Sequence, residues 1–389
     1  MTNLNGDWTY PTMVRFGPGR IRELADACKA VGMARPLIIT DPDVAKLPFM
    51  ATISEVLEDG GLPVAIFSDV KANPTGGNVA AGIEAFRAGA HDGVVAIGGG
   101  SAMDAAKVVA FCHSQDFHFW EMTDLTIDPA RIHVDRASPM IAVPTTAGTG
   151  SEVGRGAVIT DEDTHAKRII VHLQMMPKMV VSDPELTIGL PPHITAGTGM
   201  DAFAHALEAY SSNVFHPMSQ GIAMEAMRLV REYLPRAVAD GTDIEARSNM
   251  LAAASMGAVA FQKGLGAIHA VSHPTGAMYD TPHGLTNAVY TPYVLVHNRP
   301  AIEDRMGRLA ALLGLKDTSF NGFLDMVLDM REQFSIPHTI DQIGVDDQNF
   351  DRMADLAVAD LTALTNPIPL TREGAMGIFQ SAFSGQLVR

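Results

Sequence analysis

Cysteine is scarce in this sequence, and runs of basic residues are missing. The two cysteines, Cys28 and Cys112, cannot build a disulfide framework, and no Cys-x-x-Cys pair predicts a thiolate metal site. With 28 basic and 44 acidic residues the net charge is −16, which disfavours contact with a phosphate backbone. We therefore expect a reducing compartment and no nucleic-acid partner.

Long apolar runs are also rare. The longest covers residues 251–271 and is interrupted by Gln262, Lys263, three glycines and His269. This predicts one or two buried helices rather than a membrane span. The opening sequence, MTNLNGDWTYPT, has neither the basic region nor the apolar segment of a signal peptide. We expect a cytoplasmic protein with no membrane partner.

The length of 389 residues predicts two domains. Up to about residue 187, short apolar runs rich in β-branched residues alternate with helical patterns, which predicts a parallel sheet with helices on both faces. These runs begin at Pro36, Val64, Val94, Met140 and Val180. After Leu190, segments rich in Ala, Met and Leu follow one another with helical spacing. We predict an α/β domain over 1–187 and an all-α domain over 188–389.

The segment GGGSAMDAAK, which begins at Gly98, has the composition of a phosphate contact. It follows an apolar strand pattern and opens a helix, where glycines and free amides suit a diphosphate. Ser101 and Asp104 fit a capping box at the start of that helix. A tight strand-to-helix turn without a ligand would have the same composition, and the pattern is not the GxGxxG fingerprint.

Two further features of the α/β half fit a nucleotide. PTTAGTGSEV, which begins at Pro144, puts hydroxyl groups and glycines at the carboxyl end of a predicted strand, where open α/β sheets bind ligands. Asp41 follows another strand and could accept from both ribose hydroxyls, which would favour NAD over NADP. A purely structural loop, and a turn-forming or helix-capping aspartate, remain the alternatives.

Titratable residues cluster in the helical half. Asp201 and His205 lie four residues apart among apolar neighbours, so they share one face of a predicted helix that points inward. A simple Asp–His hydrogen bond would satisfy this pair, but three more histidines follow in an apolar stretch, at 269, 273 and 283. Three histidines and an aspartate suit a divalent ion such as iron or zinc, and the fourth histidine would be free for proton transfer.

Four segments together resemble the iron-containing (group III) alcohol dehydrogenase family over nearly the whole chain: GGGSAMDAAK, PTTAGTGSEV, GMDAFAHALEAY and GAIHAVSHPTGAMYDTPHG. The resemblance implies that Asp201, His205, His269 and His283 bind the metal, with His273 beside it as a non-ligand. One local departure is Phe261-Gln-Lys-Gly, which places a cation just before the second histidine segment.

The resemblance also implies a dinucleotide site and a dehydroquinate-synthase-like architecture. The implied fold has an N-terminal α/β dinucleotide-binding domain and a C-terminal helical metal-binding and catalytic domain, with the active site in the cleft between them. The implied cofactor contacts are Asp41, Asn73, Gly99, Gly100, Ser101, Thr145, Thr146, Thr149, Ser151 and Lys167.

The resulting hypothesis is a metal-dependent oxidoreductase that transfers hydride between NAD(H) and a short-chain alcohol or diol, or its aldehyde. We expect Fe²⁺, or Zn²⁺ in its place, as the ion, and His273 as the residue that relays the proton. A homodimer or larger homo-oligomer is implied by the family. The alternatives are a glycerol-dehydrogenase-like or dehydroquinate-synthase-like relative and a non-catalytic NAD-binding sensor, which would bind NAD without turnover.

Overall fold

The computed structural model describes residues 6–8, 12–123, 127–164 and 166–388. The described chain separates into two compact units. The first comprises the chain up to Gly189 together with Thr242–Leu251, and the second comprises Leu190–Gly241 and the chain from Ala252 onward. The predicted assignment of a dinucleotide-binding domain to 1–187 and a catalytic domain to 188–389 stays a prediction.

The first unit contains the strands. In chain order they are β1 (Gly6–Trp8), β2 (Met13–Phe16), β3 (Pro36–Ile39), β4 (Ile66–Phe67), β5 (Gly93–Gly98), β6 (Met140–Pro144), β7 (Gly156–Asp161), β8 (Ala166–Val171) and β9 (Met179–Ser182). Seven form one sheet in the order β1-β2-β9-β6-β5-β3-β4, parallel throughout except for β1, which pairs antiparallel with β2. Strands β7 and β8 form a separate antiparallel hairpin.

The sheet is covered on both faces. In β5, Val94 and Ala96 belong to one apolar cluster, whereas Val95 and Ile97 belong to another. Successive side chains of a strand point to opposite faces, so the two clusters lie on opposite sides of the sheet. This is why the central strands were recognisable as unbroken apolar runs.

Helices flank the sheet and make up the second unit. They are α1 (Leu24–Ala30), α2 (Phe49–Asp59), α3 (Gly76–Ala88), α4 (Gly100–Cys112), α5 (Pro192–Ser211), α6 (Pro217–Ala239), α7 (Ile244–Ala260), α8 (Ala267–Tyr279), α9 (His283–Leu312), α10 (Phe320–Gln333), α11 (Phe350–Ala359) and α12 (Arg372–Ser384). The predicted fold class, a parallel α/β part followed by a helical part, is confirmed.

The apolar stretch 251–271 falls on α7, the short 3₁₀ helix Phe261–Lys263 and α8, with a bend of 109° between the two helical segments. Among the described residues, no single helix has the length and apolar composition to cross a membrane, and this bent pair passes that test by length and composition only.

Candidate active site

Helix α5 presents a polar face within an apolar core. Asp201 and His205 are 1% and 5% exposed, and their neighbours Ala202, Phe203 and Ala204 are fully buried. The spacing of four residues places the carboxylate and the imidazole one turn apart on the same face. The Nε2 atom of His205 lies 3.9 Å from Oδ1 of Asp201, so the pair is separated by more than a hydrogen bond.

Helices α8 and α9 bring two more imidazoles to the same carboxylate oxygen. Oδ1 of Asp201 lies 3.8 Å from Nε2 of His269 and 3.6 Å from Nε2 of His283. Helix α9 begins at His283, and a Cβ at Gly284 would lie 2.4 Å from the carbonyl oxygen of Gly197 on α5. Only glycine therefore allows α9 to start close enough to α5 for His283 to reach the cluster.

Three of these side chains, Asp201, His205 and His269, form a group that could hold a divalent ion, and His283 adjoins it. Ligand atoms of a tetrahedral site with bonds of about 2.0–2.2 Å lie about 3.3–3.6 Å apart. The observed separations from Asp201 Oδ1, between 3.6 and 3.9 Å, run from the upper end of that range to a few tenths of an ångström beyond it. The ligand atoms of Asp201, His205 and His269 also lie within 4.8 Å of one another. The donor set is therefore suitable for one ion, and the ligand assignment stays a prediction.

Glu208, one turn beyond His205 on α5, orients His269. Its Oε2 lies 2.6 Å from Nδ1 of His269, and its Oε1 accepts the N–H of Ile268 at 2.6 Å. A carboxylate accepts hydrogen bonds, so the imidazole proton is on Nδ1 and the Nε2 lone pair faces Asp201. Sequence reasoning missed this residue, although its place seven residues after Asp201 on the same helical face was a usable indication.

The charges around His269 favour a cation. Burial lowers the pKa of this imidazole, but the neighbouring carboxylates, first of all that of Glu208, outweigh burial, and the net pKa is raised. The same negative environment would stabilise a bound metal cation at the Nε2 atom.

His273 lies beside the cluster and has its own carboxylate partner. Its Nδ1 is 2.7 Å from Oδ2 of Asp360, and its ring stacks on that of His283 with centroids 5.6 Å apart. Burial raises the pKa of Asp360, but His273 and hydrogen bonds from Thr362 outweigh burial and leave it below its ordinary value. Asp360 was not predicted, because 87 residues separate it from its partner.

Lys263, the cation in the departure Phe261-Gln-Lys-Gly, is bonded to the carboxyl end of α5. Its ammonium group donates to the carbonyl oxygens of Ala209, Tyr210 and Ser212 at 2.9, 3.2 and 2.5 Å. The positive charge thus lies at the negative end of the helix that carries Asp201. Its contacts indicate a structural role.

In the first unit the two glycine-rich segments meet at the carboxyl end of β5 and β6. A Cβ at Gly99 would lie 3.2 Å from Oγ1 of Thr146, and one at Gly100 would lie 2.6 Å from Cγ2 of Thr149. The N–H of Thr145 donates to the carbonyl oxygen of Gly98 at 3.0 Å. Glycine is therefore required at 100 for the two loops to approach, and α4 begins with its amides at this edge.

The remaining predicted cofactor residues lie around the same edge. Asp41 directs one carboxylate oxygen to the N–H groups of Asp43 and Val44, at 3.0 and 2.8 Å, so it does form the turn that was the alternative interpretation. Its other oxygen lies 3.5 Å from the position of a Cβ at Gly98. The Ser101 hydroxyl donates to the carbonyl oxygen of Ala72.

Hydrogen bonds of the β7–β8 hairpin connect the loop of Asn73 with Lys167, which lies on β8. Thr160 on β7 pairs with Lys167 on β8, and the Thr160 N–H donates to the carbonyl oxygen of Pro74 at 2.7 Å. The predicted contacts from 41 to 167 are thus gathered at one end of the sheet and its hairpin. Their role in cofactor binding stays a prediction.

The predicted capping box of Ser101 and Asp104 is wrong. Helix α4 is capped by Gly99 without a side-chain hydrogen bond, so Asp104 lies beyond the position from which it could close a box. Its carboxylate instead accepts from the Ser151 hydroxyl at 2.6 Å and from the N–H of Val158 at 2.8 Å.

Ser151 and Lys107 complete a buried network between α4 and the loop after β6. The Lys107 ammonium group donates to the Ser151 hydroxyl at 2.6 Å and lies 3.5 Å from Asp104. Burial lowers the pKa of Lys107, and the Asp104 and Glu152 carboxylates offset part of that effect. The hydroxyl of Ser151 is therefore engaged in holding the two segments together.

Comparison with known proteins relates both halves of the chain to one family. A family model described as iron-containing alcohol dehydrogenase matches residues 11–184, and one described as the C-terminal part of the Fe-containing alcohol dehydrogenase family matches residues 195–383.

Individual relatives are similar over most of their length. Alcohol dehydrogenase 4 of Schizosaccharomyces pombe is 38% identical over 96% of this chain and 88% of its own. The 4-hydroxybutyrate dehydrogenase of Cupriavidus necator is 38% identical over 92% of this chain and 94% of its own. Among solved structures, a 1,3-propanediol oxidoreductase superposes with a TM-score of 0.89 at 33% identity, covering 95% of this chain and 97% of its own.

Proposed function

Since the chain belongs to the iron-containing alcohol dehydrogenase family, we propose that it transfers hydride between NAD(H) and a short-chain primary alcohol or diol, or the corresponding aldehyde. The predicted family and reaction class, an NAD-dependent and metal-dependent oxidoreductase of the alcohol dehydrogenase type, are confirmed. Relatives that act on alcohols, on 1,3-propanediol and on 4-hydroxybutyrate leave the individual substrate open.

The proposed metal ligands are Asp201, His205, His269 and His283. The observation that supports them is the convergence of three Nε2 atoms on one carboxylate oxygen at 3.6 to 3.9 Å. A divalent ion held there would act as a Lewis acid toward the substrate oxygen. We propose Fe²⁺ as the native ion, with Zn²⁺ as a competitor that the same donors would bind.

The proposed NAD site is built on the first unit. It is supported by the close approach of Gly99 and Gly100 to Thr146 and Thr149 at the start of α4, which has no side-chain cap, because the amides at a helix start can bind a diphosphate. The side-chain and backbone contacts proposed for the cofactor are Asp41, Asn73, Gly99, Gly100, Ser101, Thr145, Thr146, Thr149, Ser151 and Lys167.

His273 is the proposed proton carrier of the reaction. Asp360 fixes its ring through the 2.7 Å contact at Nδ1, which leaves Nε2 to exchange a proton with the substrate side or with water. The division into a dinucleotide-binding domain over 1–187 and a catalytic domain over 188–389, a cytoplasmic location and a homodimeric or larger assembly are further proposals.

The test measures NADH formation with a panel of short alcohols and diols after chelator treatment and reloading with Fe²⁺ under nitrogen or with Zn²⁺ in air. We expect turnover that depends on the ion. His269→Ala should lose metal and turnover together, whereas His193→Ala, an exposed histidine on α5, should retain both. NAD binding without turnover under any metal would favour the sensor, and full activity of His269→Ala would refute the ligand set.

A further inference from the structure

A neutral amide lies against the proposed ligand atoms. Asn287 follows His283 by one turn of α9 and is fully buried. Its Nδ2 atom donates to Oδ1 of Asp201 at 2.7 Å and lies 3.2 Å from Nε2 of His269 and 3.1 Å from Nε2 of His283.

The three contacts of the Asn287 amide differ in strength as hydrogen bonds. An amide NH₂ group carries two hydrogens, so it cannot satisfy a carboxylate oxygen and two imidazole lone pairs at once. The contact with Asp201 is the shortest of the three and involves a charged acceptor, so it is the strongest. When the imidazole lone pairs are directed to an ion, the hydrogen bond to Asp201 is the one that Asn287 can keep.

The other end of the amide argues against a role in folding stability alone. Oδ1 of Asn287 is buried and has no hydrogen-bond partner among the residues that the structure describes. A buried acceptor without a partner is destabilising, and an apolar side chain of the same size would avoid that penalty. An amide at this position is therefore better explained by what its NH₂ group does at the ligand set.

We propose that Asn287 is a positioning residue of the metal centre, whose amide holds the Asp201 carboxylate in the orientation that binds the ion. The inference rests on the ligand set proposed above. It gives the centre two outer partners on different elements: Glu208 on α5 orients His269, and Asn287 on α9 orients Asp201. Outer partners of this kind fix the direction of the donor atom and so raise metal affinity.

The test uses Asn287→Leu, which keeps the approximate volume and removes the amide. Loss of an outer partner lowers metal affinity by about 10–100-fold, and we expect that loss for Co²⁺ and Zn²⁺ in competition with a chromophoric chelator. The visible absorption of the Co²⁺-loaded protein should change as well, because the direction of the Asp201 oxygen affects the ligand field. Asn287→Ala should reproduce both effects, which separates loss of the amide from crowding by leucine.

Thr291→Val is the matched control. Thr291 is fully buried one turn further along α9 and donates to the backbone carbonyl of Asn287 at 2.7 Å. Its loss should lower the unfolding midpoint of the metal-free protein and leave metal affinity and the Co²⁺ spectrum unchanged. Asn287→Leu also removes the hydrogen bond to the buried Asp201 carboxylate, so its metal-free midpoint should fall too. The two variants are therefore distinguished by metal affinity and by the Co²⁺ spectrum, which only Asn287→Leu should change.

Wild-type affinity and an unchanged Co²⁺ spectrum in both Asn287 variants would overturn the inference. It would also be overturned if Thr291→Val weakened metal binding as much as Asn287→Leu, since the effect would then follow general destabilisation of α9. A wild-type protein that binds no ion at all would refute the proposed function together with this inference, so the two failures are distinguishable.

Discussion

Lys263→Met tests how the carboxyl end of α5, the helix with the proposed ligands Asp201 and His205, is stabilised. In the wild type the ammonium group donates to three carbonyl oxygens there, those of Ala209, Tyr210 and Ser212. Arg305 donates to the carbonyl oxygens of Ser211 and Ser212, at 2.6 and 2.8 Å. Methionine would keep much of the side-chain volume and remove the charge.

Two effects of opposite sign determine how much Lys263→Met changes the free energy of unfolding. Hydrogen bonds from a charged group contribute about 1.5–3 kcal/mol each, and three are lost. Burial and the charge of Arg305 lower the pKa of Lys263 from 10.5 to about 8. At about 1.36 kcal/mol per unit, this corresponds to roughly 3 kcal/mol of unfavourable charge burial that methionine does not have. Because Arg305 remains to satisfy part of the helix end, we expect a net loss of about 1–3 kcal/mol at neutral pH.

The same pKa sets the pH dependence. The folded-state pKa lies below the unfolded value, so between about pH 8 and 10.5 the unfolded chain binds more protons than the folded chain. Wild-type stability is therefore raised by increasing pH across that window, and Lys263→Met lacks this contribution. The stability difference between wild type and variant should widen above pH 8.

Chemical denaturation followed by circular dichroism, at neutral and at alkaline pH, measures both effects. Gln262→Met, at the exposed neighbouring position, serves as the control for the introduced methionine and should differ little from the wild type. Equal stability of Lys263→Met and wild type at neutral pH, or a difference that does not widen above pH 8, would refute the reasoning.

Two further predictions concern the two sites. Glu208→Gln removes the charged acceptor of His269 and should weaken metal binding by about 10–100-fold, measured by chelator competition; unchanged affinity would exclude its orienting role. Gly100→Ala would put a Cβ 2.6 Å from Cγ2 of Thr149 and should weaken NAD⁺ binding by about tenfold, about 1.4 kcal/mol, in a fluorescence titration. Gly377→Ala, where a Cβ meets open space, should bind NAD⁺ as the wild type does.

The fold class could be predicted from the sequence because buried strands and buried helix faces leave regular patterns of apolar residues. Every residue of the central strands β3, β5, β6 and β9 is buried, so these four strands appear in the sequence as mainly apolar runs. The cluster of histidines with Asp201 could be predicted for a similar reason. Polar side chains at helical spacing among alanines are buried, and a buried polar group needs a hydrogen-bonding, charged or metal partner.

The carboxylate and amide partners of the cluster residues could not be predicted, because these contacts join parts of the chain that are far apart in sequence. Asp360 reaches His273 across 87 residues, and Asn287 reaches Asp201 across 86. The error at Asp104 has a local cause. The spacing of a capping box is present, but the helix begins at Gly100. The Asp104 carboxylate instead accepts from the Ser151 hydroxyl in the loop after β6 and from the N–H of Val158 on β7, and it lies 3.5 Å from Lys107 on its own helix.

The charges of the cluster favour an ion with two positive charges over a monovalent one. Asp201 and Glu208 are both nearly fully buried, and their contacts in the structure are imidazoles and neutral N–H groups. A buried carboxylate is costly unless a positive charge compensates it, and the raised pKa of His269 shows that the carboxylates around the proposed ligands favour a cation. A divalent cation would compensate more of this negative charge than a monovalent cation would. Binding of that ion should therefore stabilise the second unit itself, and chelation should lower its unfolding temperature.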